Sequence, residues 1–62
     1  MIAITYKIEV KKQPEDVWQF YCSTGDGEWK NDAAALRKKY AEASFRVVKE
    51  LVMTETITEI VG

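Results

Sequence analysis

Histidine is absent from this 62-residue chain, and cysteine and proline occur once each. Without histidine, the commonest general base near neutral pH is missing. The single Cys22 excludes an internal disulfide and, alone, cannot make a zinc site. With no histidine to activate it, it reads as a core or half-buried thiol. Long hydrophobic runs are also missing. No stretch approaches the ~20 apolar residues that span a bilayer. The opening MIAITYKIEV alternates where a signal peptide would be continuously apolar behind a basic leader. The expected compartment is therefore the cytoplasm, with no membrane contact. Nine basic and ten acidic side chains give a net charge of −1, so no global field draws nucleic acid or anionic lipid.

What is present is the composition of a folded domain: 47% hydrophobic residues against 31% charged, too apolar for a disordered chain. At this length a chain makes one domain, near the lower limit for folding alone. With a disulfide and a structural zinc excluded, oligomerisation is the remaining common staple.

Ile2, Ile4, Tyr6, Ile8 and Val10 alternate with Ala3, Thr5, Lys7, Glu9 and Lys11. That period of two predicts a strand over 2–11 with one buried face. Lys12 to Asp16 reads as a turn around Pro14. Residues 17–23 fit two structures. Pro14-Glu15-Asp16 could open a short helix, but the aromatic content and the alternation of Trp18, Phe20 and Cys22 favour a strand. Thr24 to Gly27 ends either one. Residues 31–43 predict a helix: Asn31 or Asp32 as cap, then Ala33, Leu36, Tyr40 and Ala43 along one face. Asp32 near its start and Arg37-Lys38-Lys39 near its end agree with the helix dipole.

From Phe45 to Val61 the run FRVVKELVMTETITEIV holds no Gly or Pro and is dense in Val, Ile and Thr. It reads as one strand over 45–60, roughly 56 Å long at ~3.3 Å per residue. Either such a strand bends back on itself or another molecule completes its pairing. The expected fold is α+β, a β-β-α-β domain whose three-stranded sheet has order 2-1-3. One helix would cover one face, against Ile4, Tyr6, Ile8, Trp18, Phe20, Leu36 and Tyr40. On the helix-free face, Val48, Val52, Val17 and Tyr21 would form a small apolar patch.

Candidates for chemistry are few. Gly25-Asp26-Gly27 lacks the Lys-Ser/Thr of a phosphate loop and reads as a turn using positive φ. Asp26, Glu28 and Asp32 miss the calcium-loop pattern. A pocket on the order of 300 Å³ is more than so short a chain is expected to enclose. No catalytic, cofactor-binding or metal-binding residue is nominated, and no enzyme activity is expected.

Two interaction sites are predicted. Arg37, Lys38, Lys39, Arg46 and Lys49 form a basic cluster in sequence, which with nearby aromatics could bind a nucleic-acid strand. In the tail, Thr54, Thr56 and Thr58 make one polar face, while Glu55 and Glu59 flank Ile57 on the other. A strand polar on both faces suits a ribbon that pairs with its own copy. The self-association set is Leu51, Met53, Thr54, Thr56, Ile57, Thr58 and Ile60, giving a homodimer or higher even oligomer.

The alanine-rich helix followed by Arg46-Val47-Val48-Lys49 and the Thr/Glu-rich ending resembles small uncharacterised proteins of bacteriophages and prophages. The resemblance covers roughly residues 31–61. It implies a bacterial cytoplasm and an accessory role in phage growth or lysogeny, and brings no functional residue with it. The reading favoured at this point is a non-enzymatic interaction module that self-associates through its last strand and binds a protein partner. The alternative is a nucleic-acid-binding accessory protein using the basic cluster.

Overall fold

A computed structural model describes residues 2–62. Its elements are β1 (Ala3–Lys11), β2 (Gln19–Thr24), α1 (Trp29–Lys39), β3 (Ser44–Val52) and β4 (Thr56–Ile60). They build one antiparallel four-stranded sheet of order β2-β1-β3-β4 with a single helix. The α+β class and the 2-1-3 order of the first three strands agree with the sequence reading, as does the strand at residues 17–23, shifted slightly. The expected single strand over 45–60 does not. It is a hairpin, and the sheet has four strands rather than three.

The break lies at Met53-Thr54-Glu55. Val52 pairs with Thr56, and the Met53 N–H donates to the Glu55 carbonyl at 3.1 Å. Tight turns usually announce themselves through Gly, Asn, Asp or Pro, because many need a residue at positive φ. No described residue here has positive φ, so a turn could form from Met, Thr and Glu without any such marker. The same fact corrects the expectation at Gly25 and Gly27, whose loop turns at negative φ.

β1 and β3 pair over nine positions, with Ile8 directly opposite Val47. Both side chains are fully buried, and Tyr6, Phe45 and Ala33 complete the core around them. Val10, Cys22, Trp29, Leu36, Ala43 and Val61 pack against this cluster. The helix contributes one buried residue, Ala33, whose small side chain lets the helix backbone approach the sheet closely. At the chain's far end Gly62 lies under the Trp29 ring. A Cβ there would come within 2.5 Å of Trp29 Cζ3.

The helix starts two residues before the expected Asn31 and stops four before Ala43. The Gly25 carbonyl accepts from the N–H groups of Glu28 and Trp29 (3.2 and 3.0 Å), winding the loop straight into the helix. Asp32 is therefore not the cap. It sits in the first turn, where Thr24 Oγ1 donates to it at 2.7 Å. At the other end Tyr40 leaves helical geometry (φ −121°, ψ 68°) and tilts its ring against Phe45, 6.4 Å between centroids.

Trp18 and Phe20 do not enter the core. The β1–β2 register slips between Ile8 and Glu9, so that Ile8 faces Cys22 and Glu9 faces Phe20, with Tyr21 left over as a bulge. An extra residue re-aims the side chains beyond it. Tyr21 joins Cys22 on the helix side, where its ring meets Phe45 edge-on at 5.8 Å. Phe20 is carried to the opposite face, and Trp18 stacks there under Arg46 Cζ (4.5 Å) and Lys11 Nζ (4.9 Å). Ile4, 53% exposed, lies on the helix side of the sheet but beyond the helix.

The core is thus narrow and centred on one pair. Ile8→Ala should cost about 2–5 kcal/mol, while Ile4→Ala should cost below about 1 kcal/mol. Urea unfolding followed by circular dichroism will separate the two. Equal losses would contradict this placement of the core.

Candidate functional site

The free edges of the sheet are β2 and β4, and they differ in kind. β2 carries the Tyr21 bulge, a device that twists an edge and interrupts its hydrogen-bonding groups. β4 has neither a bulge nor a proline, and all five of its residues are exposed.

The direction of each β4 backbone group follows from the ladder. The Met53 N–H bonds to the Glu55 carbonyl, and the Val61 N–H to the Val47 carbonyl at 2.9 Å. Bonded and non-bonded pairs alternate along antiparallel strands, so Leu51–Ile57 and Lys49–Glu59 are the bonded pairs between those ends. Thr56, Thr58 and Ile60 therefore turn their N–H and C=O groups outward. The edge presents three donor–acceptor sets in a row.

Of the residues predicted for self-association, Thr56, Ile57, Thr58 and Ile60 lie on this strand, with Ile57 48% and Ile60 61% exposed. Met53 and Thr54 form the turn before it. Leu51 lies on β3, between Ile4 and Ile57 in the cross-strand row on the helix side.

The five basic residues do not share one face, since Arg46 is separated from the rest by the sheet. Arg37 Nη2 donates to the Phe45 carbonyl at 2.9 Å, a structural tie between helix and β3. Lys39 Nζ lies 5.3 Å from the centre of the Tyr40 ring. Arg46 is on the opposite face of the sheet, bonded to Glu9 Oε1 at 2.7 Å and stacked on Trp18. Lys49 returns to the helix side, opposite Tyr6 and Glu59.

The helix-free face carries a second ion pair, Lys7 Nζ to Glu50 Oε1 at 2.6 Å. Around buried Val48 these two pairs, with Thr58, Glu59 and Ile60, line a surface concavity of about 460 Å³. Concave volume is therefore larger than so short a chain suggests, but four of the charges in its walls, Lys7, Glu9, Arg46 and Glu50, are already paired with each other. Val52 and Phe20 share this face; Tyr21, expected there, is drawn to the other side by the bulge. Val17 lies in the loop before β2, 75% exposed.

Three groups have displaced pKa values. Tyr6 is raised because its hydroxyl donates to Asp26 Oδ1 at 2.7 Å and is desolvated, with Glu59 adding to the effect. Tyr21 is raised chiefly by neighbouring Tyr40, then by desolvation. Cys22 is raised by burial and by the Asp32 carboxylate. All three shifts hold the group in its protonated form, the reverse of what a nucleophile or base requires. Among the described residues, no three His, Cys, Asp or Glu side chains gather closely enough to hold a metal ion. No helix among them is long and apolar enough to cross a membrane.

Comparison with family models, with curated proteins and with solved structures finds no match to this chain. Nothing in these comparisons bears on the resemblance to phage-encoded proteins.

Iodoacetamide at pH 8.5 should alkylate Cys22 several-fold more slowly in the folded chain than in urea, because the raised pKa depresses the thiolate fraction. The rate should still be climbing with pH where an exposed thiol has levelled off. Equal rates in both states would contradict the burial of this sulfur.

Proposed function

We propose that this chain is a non-enzymatic interaction module that associates with itself through the β4 edge and offers its helix-free face to a protein partner. The observation that supports it is the difference between the two edges: β2 is bulged, while β4 leaves three outward sets of backbone groups in regular order. An unguarded edge is a template for another strand. The size of the chain adds a reason, since so small a core gains stability from each further surface it buries. With one edge bulged, association closes at two copies rather than extending into a filament. The surface that pairs is thus the hairpin's outer edge and not the overhang of an overlong strand.

The bacterial cytoplasm and a phage accessory role belong to this reading through the resemblance. A single cysteine held as a thiol agrees with a reducing compartment. The nucleic-acid alternative has less support, because Arg46 is paired on the face opposite Arg37, Lys39 and Lys49, and Arg37 is tied to a backbone carbonyl.

Sedimentation of the chain at micromolar concentration should show a dimer. Thr58→Pro removes an outward N–H, which an edge strand tolerates, and should yield a folded monomer. Ile57→Pro removes an inward one and should disrupt the hairpin as well. A parent that remains monomeric at hundreds of micromolar would overturn the proposal.

A further inference from the structure

The β4 sequence is complementary to itself in one register, and we infer that two copies pair antiparallel about a two-fold axis at Thr58. This deepens the self-association reading and rests on it. Thr58 then faces Thr58 of the second copy, Thr56 faces its Ile60, and Ile57 faces its Glu59.

Only Thr56, Thr58 and Ile60 turn backbone groups outward, so these must bond to each other across the axis. That requirement leaves five two-fold registers, centred on residues 56 to 60. Centring on Ile57 sets Glu55 opposite Glu59; centring on Glu59 sets that carboxylate opposite its own copy. Like charges directly opposed across strands are destabilising. Centring on Thr56 or Ile60 leaves part of the strand unpaired. The Thr58 register alone uses all five residues of β4 and opposes no two carboxylates. Within each chain Lys49 lies directly across from Glu59, which offsets the diagonal approach of the two Glu59 side chains. The product is an eight-stranded sheet with both helices on one face. It covers Ile57 and Ile60, among the most exposed apolar side chains of the chain.

The register makes Ile57 a charge-sensitive position. In the full-length chain, Ile57→Lys places an ammonium opposite Glu59 of the second copy, and Ile57→Glu places a carboxylate there. Because the contact occurs twice, the lysine dimer should be tighter than the glutamate dimer by about tenfold at low salt, the difference shrinking as salt is added. Glu55→Lys, opposite Val61 in this register, should leave the dissociation constant within about twofold of the parent. Equal weakening by Ile57→Lys and Ile57→Glu would overturn the register, as would marked tightening by Glu55→Lys, which belongs to the Ile57-centred pairing. A dimer unaffected by Thr58→Pro would instead remove β4 as the interface, so the two failures are distinguishable.

Discussion

Everything in this molecule is hung on the pairing of β1 with β3. These two nine-residue strands are the inner ones of the sheet, and the two fully buried side chains of highest volume, Ile8 and Val47, face each other across them. β2, β4 and the helix each attach to that pair from one side. Because the helix buries little beyond Ala33, it covers the centre of one face and leaves the row Ile4, Leu51 and Ile57 outside its shelter. Among the described residues no helix or strand covers the opposite face. A body measuring 39 × 26 × 15 Å is thin, and most of its sheet surface and both edges meet solvent.

How far the sequence discloses this depends on whether a signal is local. The alternation from Ile2 to Val10 makes β1 legible, since a half-buried strand must repeat every two residues. The helix is legible through Ala33 to Leu36, although its start was set by the Gly25 carbonyl, which no propensity reports. Two features were hidden. The turn at Met53-Thr54-Glu55 uses no residue at positive φ and so needs no Gly or Asn. The bulge at Tyr21 had a faint signal in the adjacent Phe20 and Tyr21, two large rings that cannot both follow one alternation. Simple alternation without the bulge places Trp18 and Phe20 on the helix side, opposite to where they lie.

The candidate site divides the same way. A stretch over residues 51–60 dense in strand formers and polar on both faces is what the sequence offers for association. It does not disclose the turn that makes the expected overhang a hairpin edge. The basic residues show the converse. Adjacent in sequence, they are separated by the two-residue period of β3, which sends Arg46 and Lys49 to opposite faces and leaves Arg37 tied to a backbone carbonyl. Cys22 and the acidic residues are absorbed by structure: Cys22 packs against the core, Asp26 accepts from the Tyr6 hydroxyl, and Asp32 on the helix accepts from Thr24.

The central claim is that β4 completes a chain-internal hairpin with one set of amides and offers the alternate set to a second copy. Amide hydrogen exchange, read residue by residue across a concentration series, tests it most directly. At low concentration the N–H groups of Ile57 and Glu59 should be protected while those of Thr56, Thr58 and Ile60 exchange freely. As concentration rises the second set should become protected too. Thr56, Thr58 and Ile60 amides that exchange freely at every concentration, or that gain protection together with Ile57 and Glu59, would contradict the account.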